Sequence, residues 1–121
     1  MQDQTPPTST PLEITMVEFP STSMPATADF LATVCGWTPT VYGTSYTDLT
    51  GGGIEVGVQG DDDEQSPAPL MVIRVDDLAE ARGRVEAAGG VVTLEPFSFP
   101  GGRRFHFREP GGNEMSMWVP E

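Results

Sequence analysis

The alternation of apolar and polar residues divides the chain into two halves that carry the same order of signals. In the first half, the apolar residues 14–17 precede a helical pattern that ends at Gly36, and short alternating segments follow. In the second half, residues 70–73 precede a helical pattern that ends at Gly89, again followed by short alternating segments. Repetition on this scale fixes an architecture, so the pattern predicts two βαβββ modules.

The spacing of apolar residues predicts one helix in each module. The first is predicted from Phe30, Leu31, Val34 and Cys35, with Ser23 as its N-cap. The second helix has an apolar stripe and a clearer N-terminal signal, because Asp77 followed three residues later by Glu80 is typical of a capping box. The stripe of the second helix consists of Leu78, Ala81, Val85 and Ala88. The predicted strands span residues 13–19, 38–42, 45–50, 53–59, 69–75, 91–97, 103–108 and 113–119.

Period-two alternation assigns the side chains of these strands to two faces of a sheet. We expect the wholly apolar faces to lie under the helices, with Thr15, Val17 and Phe19 on that side of the first strand. The opposite face holds polar and aromatic side chains and becomes concave if the sheet curves. Residues expected on the concave face include Met16, Glu18, Leu70, Arg74, Glu114, Ser116 and Trp118.

The length of 121 residues suits a single domain, in which the two modules bury their apolar side chains together. Residues 1–11 are polar and rich in Thr and Pro, which predicts a disordered tail without the features of a secretion signal. The domain is expected over residues 12–119. It divides into a first module at about 12–60, an acidic linker at about 61–68 and a second module at about 69–119.

The formal net charge of −12 and the absence of lysine restrict the partners of the chain. Binding a phosphate backbone needs a basic surface, so nucleic acid is not expected, and a lysine Schiff base is excluded. Acidity favours a cationic ligand by raising its local concentration. No apolar run reaches the ~20 residues that span a bilayer. The single cysteine, Cys35, is expected to be a small buried residue, and the location is expected to be cytoplasmic.

Several motifs resemble those of the vicinal oxygen chelate superfamily, which includes glyoxalases, bleomycin-resistance proteins and extradiol dioxygenases. They are Val17-Glu18-Phe19-Pro20, Val75-Asp76-Asp77-Leu78, Ala87-Ala88-Gly89-Gly90, Gly102-Arg103-Arg104-Phe105, and the turn at 108–113 with Glu109 where the family has aspartate. The resemblance implies an α+β fold: two βαβββ modules forming a curved mixed sheet, with helices on its outer face. It also implies a homodimer, since short members of the family commonly pair.

Metal-dependent members of this family carry ligands on the first, fifth and last strands. The resemblance puts Met16, Leu70 and Ser116 at these positions, and none of the three is a usual ligand for a divalent ion. We therefore expect no bound metal, no other cofactor and no catalytic residues of the family's usual kind.

Other side chains leave more than one interpretation open. His106, the only histidine, is a candidate base or metal ligand, or a packed strand residue beside Arg104 and Arg108. Glu18 and Glu114 are candidates for a catalytic acid and base, for capture of a cationic ligand, or for ion pairs with Arg74. Trp118 on the concave face suits stacking on a planar or cationic ligand, or else it covers an edge of the domain or a dimer contact. Tyr46 is a candidate for the same side of a ligand site on the concave face.

These features favour a metal-free binder of a small cationic or aromatic molecule that sequesters an antibiotic or a metabolite. The expected ligand-binding residues are Met16, Glu18, Tyr46, Leu70, Arg74, His106, Glu114, Ser116 and Trp118. One alternative is a metal-dependent lyase, isomerase or dioxygenase with a rearranged site built from Glu18, His106 and Glu114. The other is a non-catalytic domain that acts through protein interactions.

Overall fold

A computed structural model describes residues 11–63 and 66–121. The predicted tail lies outside the described residues except for Pro11, and so do residues 64 and 65 of the predicted linker. The elements in chain order are β1 (Glu13–Pro20), α1 (Met24–Cys35), β2 (Thr38–Tyr42), β3 (Tyr46–Gly52), β4 (Ile54–Gln59), β5 (Leu70–Arg74), α2 (Leu78–Ala87), β6 (Val91–Phe99), β7 (Gly102–Arg108) and β8 (Glu114–Pro120). The predicted elements are therefore confirmed, with ends displaced by at most two residues.

All the strands belong to one eight-stranded mixed sheet with the order β2-β3-β4-β1-β5-β8-β7-β6. The two modules repeat each other, because β1 pairs in parallel with β4 as β5 pairs in parallel with β8. The antiparallel pairing of β1 with β5 joins the modules at the centre of the sheet. The predicted α+β fold, two βαβββ modules in a curved mixed sheet, is confirmed.

Each helix covers the convex face of its own module. In the first module Met24 of α1 packs on Leu49, Val56 and Val58 of the sheet, and partly buried Trp37 packs against this cluster. In the second module Leu78, Ala81 and Val85 of α2 form a cluster with Val75, Phe105 and Phe107. Burial of these apolar side chains supplies most of the stabilisation, at about 25 cal/mol per Å² of apolar surface removed from water. The concave face between the modules is left uncovered by helices.

Most strand residues face the side that their alternation predicts, but Thr15 does not. The pairing of β1 with β5 shifts register between Ile14 and Met16, which is a β-bulge. The extra residue turns the Thr15 side chain to the concave face, where it accepts a hydrogen bond from Trp118. The prediction that Thr15 shares a face with Val17 and Phe19 is therefore wrong.

The first helix also differs from its sequence-based description. Its buried residues are Met24 and Ala28, whereas Phe30 and Val34 of the predicted stripe are exposed. Cys35 is exposed as well, so the expectation that it is buried is wrong. Ser23 precedes the helix but makes no capping hydrogen bond from its side chain. The helix packs through Met24 and Ala28, with Leu31 and Ala32 partly buried against the same cluster, while Phe30 and Val34 point outward.

Two turn assignments based on the sequence are correct. The Asp77 side chain accepts a hydrogen bond from the backbone N–H of Glu80, which caps α2. Glu109, in place of the family's aspartate, accepts hydrogen bonds from the backbone N–H groups of Gly111 and Asn113. These bonds lower the pKa of the Glu109 carboxyl and hold the turn that leads into β8.

Neither helix in the described part of the chain has the length and apolar character needed to cross a membrane.

Candidate functional site

The concave face of the sheet encloses a cavity of about 680 Å³, here called the central cavity. All eight strands contribute residues to its lining, and the β6–β7 hairpin forms one rim. Its aromatic lining residues are Tyr42, Tyr46, Phe97, Phe99 and Trp118. The charged and polar ones include Thr15, Glu18, Asp48, Glu55, Gln59 and Arg104, and Met16 and Val72 add apolar surface.

A second, smaller cavity of about 390 Å³ lies beside α2 on the convex side of the sheet. Its charged residues, among them Asp76, Asp77 and Glu80, are exposed to solvent. Among the described residues, the buried side-chain atoms without hydrogen-bond partners belong to Asp48, Arg104, His106 and Ser116, and none of these residues lines the smaller cavity. Asp48 and Arg104 line the central cavity, which is also the larger of the two, so it is the candidate site.

Glycine at position 57 makes room for a tyrosine in the wall of the cavity. Gly57 lies between Glu18 of β1 and Asp48 of β3 in the sheet. A Cβ atom at this position would overlap the phenol oxygen of Tyr46. The phenol lies across Gly57 and donates a hydrogen bond to Met16 Sδ at 3.6 Å. Burial, followed by the charge of Glu18, raises the pKa of Tyr46, so this phenol stays protonated.

A buried ion pair spans the cavity from one module to the other. Arg104 Nη1 of β7 lies 3.3 Å from Glu18 Oε1 of β1, although β5 and β8 separate these strands in the sheet. Only 5% of Glu18 and 9% of Arg104 are exposed. The guanidinium also lies over the rings of Phe97 and Phe99, 5.4 and 5.3 Å from their centroids. Arg104 is thus held by a carboxylate and two aromatic faces.

The opposite wall carries two carboxyl groups close together. Asp48 of β3 and Glu55 of β4 lie on adjacent antiparallel strands and both line the cavity. Burial, followed by the charge of Glu55 and a hydrogen bond with it, raises the pKa of Asp48 from 3.8 to about 6. Asp48 therefore changes charge close to neutral pH. A group with this pKa can exchange a proton with a ligand or hold a cation.

Trp118 is fixed in the cavity wall by contacts on several sides. Its Nε1–H donates a hydrogen bond of 2.8 Å to Thr15 Oγ1, the hydroxyl that the β-bulge turns inward. The ring of Phe99 is 6.1 Å away and tilted by 59°. The Arg74 guanidinium lies 5.9 Å from the centroid of the Trp118 ring. Held in this way, the indole presents a preorganised apolar surface to the cavity.

A second polar cluster lies on the same face but outside the lining of the central cavity. His106 Nδ1 is 3.4 Å from Glu114 Oε2, which also accepts a hydrogen bond of 2.8 Å from Thr93. Burial, reinforced by the charge of Arg104, lowers the pKa of His106, so the imidazole is neutral at pH 7. Ser116 is paired with His106 across β7 and β8 and is fully buried.

The residues present do not fit the divalent ion that the family resemblance implies. Leu70 and Ser116 are buried at two of the three expected ligand positions, and the Met16 thioether occupies the third. The described residues contain no group of three or more His, Cys, Asp or Glu side chains that could hold a metal. Glu18, His106 and Glu114 therefore do not come together as the rearranged metal site that was considered as an alternative.

The structure brings together only part of the predicted ligand-binding set. Met16, Glu18, Tyr46 and Trp118 line the central cavity. The remaining predicted residues lie on the concave face but do not line the cavity; they are Leu70, Arg74, His106, Glu114 and Ser116. Of the interpretations left open for Glu18 and Glu114, ion pairing with Arg74 is not found among the described residues, where Glu18 contacts Arg104 and Glu114 contacts His106.

The cavity-lining residues that sequence reasoning missed include Thr15, Asp48, Glu55, Phe97, Phe99 and Arg104. Strand alternation could have placed Asp48 and Glu55 on the concave face, because their sequence neighbours Leu49 and Val56 pack against α1 on the other face. Phe97 and Phe99 follow two register shifts in the β6–β7 pairing, so alternation alone could not place them.

Comparison with known proteins identifies a family. The model of the "Glyoxalase/Bleomycin resistance protein/Dioxygenase superfamily" matches residues 13–117. No curated protein sequence matches the chain.

Several solved structures have the same fold. The NAD-dependent benzaldehyde dehydrogenase from Legionella pneumophila is 12% identical, with a TM-score of 0.73 over 88% of this chain and 98% of that one. A glyoxalase/bleomycin resistance protein/dioxygenase superfamily member from Vibrio splendidus is 17% identical, with a TM-score of 0.65 over 90% of this chain and 99% of that one. The Mn(II)-bound glyoxalase from Novosphingobium aromaticivorans is 24% identical, with a TM-score of 0.69 over 88% of this chain and 38% of that one. At these identities the likeness establishes the fold and no particular activity.

Proposed function

Because the chain belongs to the glyoxalase/bleomycin resistance protein/dioxygenase superfamily, we propose that its central cavity binds a small cationic aromatic molecule without a metal ion. The proposed role is sequestration of an antibiotic or a metabolite, in the manner of a bleomycin-resistance protein. One observation carries the proposal: aromatic rings surround a cavity in which carboxylates outnumber cations.

The balance of charge in the cavity supports a cationic ligand. Of the described residues that line it, Glu18, Asp48 and Glu55 are acidic and Arg104 is basic. The single guanidinium is already paired with Glu18, so the negative charge of Asp48 and Glu55 is not balanced by a nearby cation of the chain. A cationic ligand gains Coulomb energy there, and the low dielectric of a closed cavity strengthens it.

The size and the aromatic walls support an organic ligand with a flat ring system. A volume of about 680 Å³ lies within the range of about 300–1,000 Å³ that small-molecule sites occupy. Trp118 and Phe99 are held in fixed orientations by their neighbours, so a ligand can stack on them without having to order them first.

The test is a binding screen with ligands matched in shape and different in charge. Naphthyl compounds carrying a primary amine, an alcohol or a carboxylate would be compared by thermal shift and by calorimetry. The amine is expected to bind most tightly and the carboxylate least. Trp118→Ala is expected to weaken binding of the amine about ten-fold, whereas Val91→Ala, which removes an exposed apolar side chain on β6, serves as the control. A Trp118→Ala variant that binds every compound as well as the parent would contradict the proposal.

The metal-dependent alternative predicts a different result in a separate measurement. Elemental analysis of protein purified without chelators would find one tightly held transition-metal ion per chain if the chain were an enzyme of that kind. The proposed metal-free binder is expected to contain less than about one ion in ten chains and to keep its affinity for the amine after treatment with a chelator.

A protein-interaction function is favoured by one separate observation, the exposed apolar face of α1. Phe30 and Val34 lie one helical turn apart and are 64% and 65% exposed. A second copy of the chain is the occupant that we propose for this face, since covering it would bury both side chains. Native mass spectrometry is expected to detect a dimer that the double variant Phe30→Ser/Val34→Ser loses. A monomer at every concentration of the parent protein would contradict this assignment.

A further inference from the structure

The wall of the central cavity formed by β3 and β4 contains an acidic pair whose hydrogen bonding is incomplete. Asp48 faces Gly57 across the two strands, and Glu55 lies two residues earlier on the same face of β4. Diagonal neighbours of this kind are within reach of each other's side chains. The two carboxyl groups interact directly, and both border the cavity.

Asp48 Oδ1 is buried and receives no hydrogen bond from any described residue. Only 9% of Asp48 is exposed, and its side chain lies on the face that lines the cavity. A buried acceptor without a donor carries the full cost of its lost hydration. A donor that removes this cost can enter from the cavity, which Asp48 borders.

The neighbouring groups explain why the chain itself does not supply that donor. The Tyr46 phenol donates its hydrogen bond to Met16 Sδ. Arg104 Nη1 is directed to Glu18 and the guanidinium lies over the rings of Phe97 and Phe99, while Arg104 Nε is buried and makes no hydrogen bond to Asp48. The acidic pair therefore faces the aromatic cavity with one acceptor, Asp48 Oδ1, that no described side chain serves.

We propose that Asp48 and Glu55 form a recognition subsite for a protonated amine that carries at least one N–H. The N–H donates to Asp48 Oδ1, and the positive charge stabilises both carboxylates. This inference rests on the proposed binding function and narrows its ligand class. A quaternary ammonium group has the charge without the donor, so it leaves the acceptor unsatisfied and binds less well.

Protonation supports the same assignment. The charged and titratable groups that share the cavity with Asp48 are Glu55, Glu18, Arg104, Tyr46 and Tyr42. Burial and Glu55 raise the pKa of Asp48 to about 6. An ammonium group favours the ionised carboxylate, so it lowers this pKa when it binds. Binding near pH 6 should therefore release a proton from the protein.

The experiment uses three probes of nearly the same shape: 2-(2-naphthyl)ethylamine, its N,N,N-trimethyl derivative and 2-(2-naphthyl)ethanol. Calorimetry at pH 7.5 would measure their affinities for the parent protein and for Asp48→Asn and Glu55→Gln. Asp29→Asn removes one carboxylate from the outer surface of α1 and is the control for net charge. Titrations near pH 6 in buffers of different ionisation enthalpy would report proton release.

The primary amine is expected to bind at least ten-fold more tightly than either analogue. Asp48→Asn should reduce the preference for amine over alcohol at least ten-fold and abolish proton release, and Glu55→Gln should have a smaller effect in the same direction. Asp29→Asn should change neither quantity. Equal binding of the primary and trimethylated amines, or an unchanged preference in Asp48→Asn, would overturn the inference.

The same data separate this inference from the function on which it rests. If the primary and trimethylated amines bind equally and both bind more tightly than the alcohol, the N–H subsite is wrong while binding of a cationic aromatic molecule stands. If the amine shows no advantage over the alcohol, the cationic part of the proposed function fails as well. If none of the three probes binds, both proposals fail.

Discussion

Arg104 and Glu18 form an ion pair of 3.3 Å that joins the two modules across the central cavity. The two residues are 86 positions apart in the chain, on strands that are not neighbours in the sheet. Their contact requires the sheet to curve until its concave faces approach each other. The pair therefore both fixes the shape of the cavity and neutralises a charge within it.

Removal of one partner of this pair should be costly. Arg104→Met leaves the Glu18 carboxylate buried without its cation, and we expect a loss of about 3–5 kcal/mol in the free energy of unfolding. The double variant Glu18→Gln/Arg104→Met removes both charges and should lose clearly less. Urea unfolding of Glu18→Gln, Arg104→Met and the double variant measures the coupling free energy between the two side chains. Additive losses in the double variant would show that the two side chains do not interact.

The pH dependence of stability should reveal the acidic pair. A raised folded-state pKa means that ionised Asp48 destabilises the protein. The penalty is absent below the unfolded pKa of 3.8 and is complete above the folded pKa of about 6. At pH 7.5 Asp48→Asn should therefore be about 1–3 kcal/mol more stable than the parent.

This advantage of Asp48→Asn should shrink as the pH falls from 6 towards 4, and denaturant unfolding across that range measures it. Asp29→Asn, with its carboxylate on the exposed surface of α1, should show a small difference that does not change with pH. An Asp48→Asn effect of the same size at pH 4.5 and pH 7.5 would mean that Asp48 has an ordinary pKa.

Two glycine-to-alanine substitutions should act in opposite directions. A Cβ at position 57 overlaps the Tyr46 phenol, so Gly57→Ala should destabilise the protein by about 1–3 kcal/mol and displace the tyrosine. Gly83 lies inside α2 with open space around it, and Gly83→Ala should stabilise the protein by about 0.4–1 kcal/mol. Thermal unfolding measures both effects. Adding Tyr46→Phe to Gly57→Ala removes the overlapping oxygen and should restore part of the lost stability.

The Thr15 hydroxyl, which the β-bulge turns inward, should stabilise the protein by accepting the hydrogen bond of the Trp118 indole. Thr15→Val keeps the shape of the side chain and removes the acceptor of the indole N–H, which should cost about 1–3 kcal/mol. Thr15→Ser retains the hydroxyl and should cost less. Unfolding followed by fluorescence in a Trp37→Phe background isolates the signal of Trp118. Equal stability of the valine and serine variants would indicate that this hydrogen bond contributes little.

Local sequence patterns were sufficient to predict the helices and strands and, for most strand residues, the face of the sheet on which the side chain lies. In β8 the alternation of Met115, Met117 and Val119 with polar and aromatic residues correctly predicted which side packs under α2. The capping residue Asp77 was also predicted correctly, because a cap depends on neighbours three residues away. Such features involve short stretches of chain, so the sequence of the stretch carries the information.

The candidate site was only partly predictable because it depends on contacts between distant residues. Nothing near Glu18 in the sequence distinguishes Arg104 from Arg74 as its partner, and the curvature of the sheet decides between them. The bulge at Thr15 moves this side chain to the other face of the sheet, and no glycine or proline next to it in the sequence indicates a bulge. Phe97 and Phe99 enter the cavity through register shifts of the same kind.

By itself, the sequence determined the repeated module, the α+β class and the family, because periodicity and turn chemistry are local. The tertiary structure alone decided which charges meet, how large the cavity is, and that Asp48 is buried beside Glu55. The physical reason is that the electrostatic energy of a carboxyl group depends on its solvent exposure and on charges brought close by folding. Residues that are far apart in the chain acquire these properties only when the sheet closes around the cavity.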